Sequence, residues 1–134
     1  MGPLDDQVVR ADSLTATADG LDIAIYTHWY RALPLPSLAK VDLTVDGERI
    51  DPAVLSVTVN GNRYPLESLG EHGDEYWFTT DPAVLHVPVE TAPGRTHRVQ
   101  LLLGLSIPYI LTGPDRVPLL APSATDKTLT AAGA

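Results

Sequence analysis

At 134 residues the chain is the size of one domain, long enough to bury a core without disulfides or a metal staple. It has no cysteine, which excludes thiol nucleophiles, zinc-cysteine sites and a disulfide framework. Nine Lys or Arg against seventeen Asp or Glu, a formal net charge of -8, exclude a phosphate-gripping surface, so nucleic acid is not an expected partner.

Residues 1 to 6 read as a flexible lead-in, with ordered structure expected from Gln7. They show no basic region followed by an apolar run. No stretch reaches the roughly 18 apolar residues of a spanning helix, so a soluble, cytoplasmic protein without membrane association is expected. Twelve prolines and ten glycines predict short strands and tight turns rather than long helices.

From Leu14 to Tyr30 two extended runs flank Asp19-Gly20, with Leu21, Ile23 and Ile25 alternating against Asp22 and Ala24. The same grammar recurs in Val41, Leu43 and Val45 before Asp46-Gly47, and in Leu55, Val57 and Val59 before Asn60-Gly61. Asx-Gly supplies the positive φ angles of a two-residue hairpin turn, so three such turns between period-two apolar runs predict antiparallel sheet.

The stretch Ile25 to Ser37 concentrates the unusual chemistry. If it stays extended, Ile25, Thr27 and Trp29 share one face while Tyr26, His28 and Tyr30 share the other. Arg31 then leads into the proline-braced loop Leu33-Pro34-Leu35-Pro36. Three readings stay open for this face: stacking on a sugar or polyphenol ring, docking a partner through aromatic and arginine anchors, or forming the core of a second sheet.

Pro65 to Leu69 predicts one helical turn with proline at its first position, and Tyr76 to Thr79 resumes an aromatic strand. Leu85, Val87 and Val89 alternate with His86 and Pro88, and a proline there predicts an edge or bulged strand. His97 to Ile107 is the longest apolar run and predicts a central strand covered on both faces. Residues 7 to 118 are assigned to one antiparallel β-sandwich of about eight strands, and 119 to 134 to a disordered or draped tail with no pattern to offset its ordering entropy. Asp51-Pro-Ala-Val-Leu55 recurs as Asp81-Pro-Ala-Val-Leu85, which is read as shared turn chemistry rather than a duplicated half-domain.

The histidines have no short metal-type spacing. His86 and His97 are read as solvated or interfacial, opposite the apolar positions of their strands, and His72 as part of a solvated acidic loop with Glu71 and Asp74. No nucleophile elbow, phosphate loop or dinucleotide fingerprint occurs, so neither catalytic nor metal residues are assigned.

The ordered set formed by Tyr30-Arg31-Ala32-Leu33-Pro34-Leu35, Val45-Asp46-Gly47, Asn60-Gly61, Tyr76-Trp77-Phe78 and Leu105-Ser106-Ile107-Pro108-Tyr109 resembles the small beta subunits of bacterial C-glycoside deglycosidases. The resemblance implies a β-sandwich subunit that is inactive alone and joins a TIM-barrel alpha subunit in a higher-order hetero-oligomer. It implies no cofactor in this chain and a divalent metal, Mn or Mg, in the alpha subunit. The implied reaction is a carbon-carbon lyase step that separates a 3-oxo-glucosyl group from an aromatic aglycone such as a flavonoid. Tyr26, His28, Tyr30, Arg31, Leu33, Pro34, Leu35 and Pro36 are then the candidates for the substrate pocket or partner interface, with Leu33 to Leu35 as an apolar plug. The rival reading is a freestanding carbohydrate- or polyphenol-binding sandwich using the same aromatic face.

Overall fold

A computed structural model describes residues 7 to 29 and 31 to 133. Among the described residues there are twelve strand segments, several of them short, where about eight strands were expected: β1 (Val9–Thr17), β2 (Gly20–Ile25), β3 (Leu33–Pro34), β4 (Leu38–Val45), β5 (Glu48–Ile50), β6 (Ser56–Val59), β7 (Asn62–Pro65), β8 (Tyr76–Trp77), β9 (Ala83–Val87), β10 (Thr96–Thr112), β11 (Val117–Thr130) and β12 (Ala132–Gly133). They form a six-stranded sheet in the order β12-β1-β2-β9-β6-β7, a four-stranded sheet in the order β11-β10-β4-β5 and the small β3-β8 pair. The extra segments come from subdivision of the irregular stretches and from the C-terminal third. Among the described residues no helix is long and apolar enough to cross a membrane.

The alternation in the sequence becomes the inner faces of the two large sheets. Leu21, Ile23 and Ile25 of β2 and Val57 and Val59 of β6 join Leu43 and Val45 of β4 and Val99, Leu101, Leu103 and Leu105 of β10 in one core. This is an all-β sandwich. Each such aliphatic side chain contributes on the order of 1.5–3 kcal/mol when removed from water, which fixes the register because a one-residue slip would turn every one of them outward.

Two of the three predicted Asx-Gly turns have the expected geometry. Asp46 and Gly47 have φ of 53° and 83° between the paired Val45 and Glu48, and Asn60 and Gly61 have 53° and 81° between Val59 and Asn62. The first is displaced by one residue. Thr17 pairs with Gly20, so Ala18-Asp19 occupy the loop and Gly20, at φ 147°, opens β2. A β-carbon on Gly20 would lie 2.2 Å from the Val87 carbonyl oxygen, so the missing side chain lets β9 approach.

Three expectations are corrected or refined here. β9 is an interior strand between β2 and β6 that ends at Val87, so Pro88 lies just beyond it and disturbs no ladder. The helical turn is a 3-10 segment, Leu66–Glu71, with Pro65 preceding it as its cap. The Asp-Pro echo is local: Asp51 accepts the Ala53 N–H at 3.0 Å and opens a 3-10 turn, whereas the second copy enters β9 directly.

The largest correction concerns residues 119 to 134, expected as a loose or draped tail. Val117–Thr130 pairs antiparallel with β10 from Thr96↔Thr130 to Thr112↔Val117, and Ala132–Gly133 adds a parallel strand to β1. The Ala, Ser, Thr and Pro composition of β11 conceals it because its partner β10 supplies the apolar register and a ready row of backbone donors and acceptors.

Candidate functional site

The chain leaves the six-stranded sheet at Ile25 and crosses to β4 through the Tyr26–Ser37 segment. The strand ends before the alternation can carry through, so Tyr26 to Trp29 are placed by individual contacts. The Arg10 guanidinium lies over the Tyr26 ring, 3.5 Å from its centroid. The Thr27 hydroxyl accepts the Trp29 N–H at 3.1 Å and is itself buried. His28 Nε2 lies 2.9 Å from the Ala121 carbonyl oxygen and donates to it. Tyr30 lies outside the described residues.

Beyond Arg31 the segment turns inward. Leu33 pairs with Trp77 across β3-β8, and Leu33 and Leu35 are both buried in this chain's own core. The apolar-plug assignment of Leu33 to Leu35 is therefore corrected: Leu33, Leu35 and Ser37 point in, with Pro34 and Pro36 half-buried between them. Pro34 ends β3 and Pro36 sits in the 3-10 turn Leu35–Ser37, and their fixed φ angles hold the backbone that carries both leucines into the sandwich.

What the segment does present is a three-residue cluster that links two distant parts of the chain. The Trp29 indole N–H donates to the Tyr109 hydroxyl, and the Arg31 guanidinium sits 4.9 Å from the centroid of the same Tyr109 ring. Arg31 and Tyr109 are exposed while Trp29 packs partly against the core. A ring face and a guanidinium held in contact at the surface form a stacking platform for planar or sugar-bearing groups. Tyr109 is the member missed by residue-level reading. Its position at the irregularity between Ile107 and Leu111, where β10 bulges out of its ladder, was the available signal.

A set of buried polar atoms lies at His28 and along β11. His28 Nδ1, Ser123 Oγ and Thr125 Oγ1 have no hydrogen-bond partner among the described residues. Ser123 and Thr125 follow Ala121 on the inward side of β11, so they extend the line that His28 begins. Each bare buried polar atom costs about 1–3 kcal/mol, a cost that marks this set as the least well satisfied part of the sandwich.

The other histidines do structural work. His86 receives Thr58 Oγ1 at 2.6 Å on Nε2 and faces Asp22 Oδ1 at 2.8 Å through Nδ1, which ties β6, β9 and β2 together across their outer face. His97 makes the same kind of relay, Nδ1 to Asp46 Oδ2 at 2.6 Å and Nε2 to Thr91 Oγ1 at 2.7 Å, but is only 1% exposed. Its reading as solvated is thus corrected, since 97 is in phase with Val99 and Leu101 and shares their inward face. His72 stacks on Tyr64 with ring centroids 4.0 Å apart. Beside them Glu75 accepts from Asn62, Tyr64 and Asn60, which holds its carboxyl below the usual range and raises the Tyr64 phenol. Among the described residues no three His, Asp or Glu side chains are grouped to hold a metal ion.

Asp46 gives a pH prediction. Burial pushes its carboxyl up, but the His97 and Arg98 hydrogen bonds and the nearby positive charges of His97 and Arg95 outweigh burial and hold it below the ordinary value of 3.8. A carboxyl depressed on folding stabilises the fold above its unfolded pKa, and that contribution is lost as pH falls through its lower folded value. Thermal unfolding from pH 6 down to 3 is expected to show a steeper loss of Tm below about pH 5 for the wild type than for Asp46→Asn. Parallel curves would remove Asp46 from the acid response.

Comparison with known proteins places this geometry in a family. A family model described as C-glycoside deglycosidase beta subunit matches residues 4–109. The 3'-dehydrocarminate deglycosidase beta subunit of a Microbacterium species is 35% identical over 105 residues, covering 78% of this chain and 80% of its own length. The C-glycoside deglycosidase beta subunit of Microbacterium trichothecenolyticum is 31% identical over 129 residues, 96% of this chain and 98% of its own. One from Arthrobacter globiformis is 34% identical over 109 residues, 80% and 82% of the two chains. This all-β chain, with its Trp29–Tyr109–Arg31 surface cluster, belongs to the C-glycoside deglycosidase beta subunit family, whose name makes it one component of a heteromeric complex.

Proposed function

We propose that this chain completes the substrate pocket of a heteromeric C-glycoside deglycosidase whose TIM-barrel alpha subunit holds the base and a divalent metal. The substrate is a 3-oxo-C-glucoside with an aromatic aglycone. Removal of the C2 proton gives an enolate. Its electrons then form the C1–C2 double bond as the C1–aglycone bond breaks, and the departing aglycone carbon takes a proton. When bound in the partner, the metal supplies positive charge for the C3 oxygen.

The observation that carries this reading is the Trp29–Tyr109–Arg31 cluster. It offers an aromatic face and a guanidinium at one surface point, suited to an aglycone ring with phenolic oxygens. Trp29 positions Tyr109 by its indole hydrogen bond, and Arg31 orients the aglycone or the partner's rim. In the proposed pocket these groups act by positioning and by excluding water, leaving proton transfer to the partner.

The test is steady-state kinetics on the purified complex with a 3-oxo-C-glucoside. Arg31→Ala is expected to lower kcat/KM by roughly 10–100-fold while the complex still co-elutes. Unchanged kcat/KM in an intact complex would remove the cluster from the pocket. Calorimetry that finds tight C-glycoside binding by the chain alone would instead favour a freestanding binding module.

A further inference from the structure

The outer half of the β10–β11 hairpin is an arm without a third strand. β4 pairs with β10 only from Val99 to Leu105, so past Ile107 the only strand pairing of the ribbon is with β11, with Trp29 and Arg31 touching Tyr109 at its root. Exposure rises at the same point: Leu105 and Ile107 are buried, and Ile110 and Leu119 still pack partly against the core, whereas Tyr109, Leu111, Val117 and Leu120 are between 45% and 53% exposed. Four of the seven large apolar side chains exposed among the described residues therefore lie on one projecting element. Singly exposed apolar residues need no explanation, but a contiguous set marks a contact surface.

The chemistry of the arm narrows its occupant. Between Leu101 and Thr125 the only charged residues are Asp115 and Arg116, one of each sign, in a chain of formal net charge -8. A surface so nearly neutral fits an uncharged, apolar groove rather than a basic one. Pro118 and Pro122 lie on β11, which forms the free edge of the four-stranded sheet, and each lacks the N–H that an added strand would need. That disfavours edge-to-edge pairing with a second copy and leaves side-chain burial as the mode of contact. By alternation, Leu111 and Leu120 share a face with Pro118 while Val117 points to the other, so the groove encloses the ribbon instead of meeting one flat side. The arm's root is Tyr109 itself, which makes it continuous with the surface cluster.

We propose that the β10–β11 arm is the docking element by which this chain is held in an apolar groove of the catalytic subunit. This rests on the heteromeric reading above and adds to it where the partner grips. The arm anchors assembly, and the Trp29–Tyr109–Arg31 cluster at its root is thereby carried to the rim of the partner's site.

The test uses the complex made by co-expression with the cognate TIM-barrel subunit. Leu111→Asp and Val117→Asp, both at exposed positions where a charge leaves the core intact, are expected to weaken assembly by about 100-fold or abolish co-elution. The circular dichroism and Tm of each variant chain should match the wild type, which separates lost docking from lost folding. Arg31→Ala, off the arm, should still assemble. If the wild type assembles and both arm variants assemble equally well, the arm proposal is overturned and the pocket-completing reading stands. If the wild type does not associate with the barrel at all, the heteromeric reading fails and the proposal with it. Should the wild-type chain form a homodimer that the arm variants reduce to monomer, the arm's occupant is a second copy and the proposal is overturned.

Discussion

Replacing Trp77 by alanine is expected to cost about 3–5 kcal/mol, the range for deleting a fully buried large aromatic. Trp77 is 2% exposed, pairs with Leu33 across the two-stranded sheet and donates its indole N–H to the Asp81 carbonyl oxygen at 3.1 Å. It therefore holds together the segment that leaves Arg31 and the segment that enters β9. Alanine would leave a void against Leu33 and Leu35 and strip a hydrogen bond from the turn before β9. For a domain of this size the loss corresponds to more than about 10 °C in Tm. Trp77→Phe keeps most of the volume and loses the bond, so a smaller cost of about 1–2 kcal/mol is expected. Urea unfolding of both variants measures the difference. A cost below about 1 kcal/mol for Trp77→Ala would mean that the β3-β8 pair contributes little to the fold.

The second large effect is expected at Gly20. Its φ of 147° belongs to a region that L side chains rarely adopt, and a β-carbon would meet the Val87 carbonyl oxygen at 2.2 Å and the Pro88 α-carbon at 3.1 Å. Both obstacles are backbone, so no rotamer change relieves them. Gly20→Ala must separate the start of β2 from the end of β9 or bend one of them, at a cost of about 2–4 kcal/mol. Gly47→Ala is the control. It also has a positive φ, 83°, but its β-carbon would meet nothing within 4 Å, so only the turn strain of about 1 kcal/mol is expected. Equal losses at the two sites in thermal unfolding would show that conformational strain, rather than the close approach to Val87, is what Gly20 relieves.

Gly20 also shows where sequence reading stops. Asx-Gly predicted all three hairpins, and the hairpins exist. At Asp46-Gly47 and Asn60-Gly61 local φ preference decides the turn; at Asp19-Gly20 contact with β9 moves it by one residue. The period-two runs of β2, β4, β6 and β10 were legible because one apolar face dictates their register. β11 was not, since its inward positions include Ser123 and Thr125 and its order depends on pairing with β10. At the candidate site the aromatic and arginine concentration was visible, but two of its apparent surface leucines, Leu33 and Leu35, are core. Their inward placement depends on the two-residue strand β3 and the 3-10 turn Leu35–Ser37 that follows it, which no period-two pattern announces. Tyr109 lies eighty residues from Trp29, and only the sandwich brings them together.

The parallel pairing of Thr15 with Ala132 and Ala16 with Gly133 has a consequence for biosynthesis. Strand β1 leaves the ribosome long before its outer neighbour β12. Until residue 132 has emerged, the β1 edge has no partner and β10 lacks its full β11 ladder. Closure of the sandwich is therefore a late, non-local event, slow by the entropy of bringing distant segments together and exposed to misassociation meanwhile. Another subunit already present during translation would meet the chain before this edge is closed.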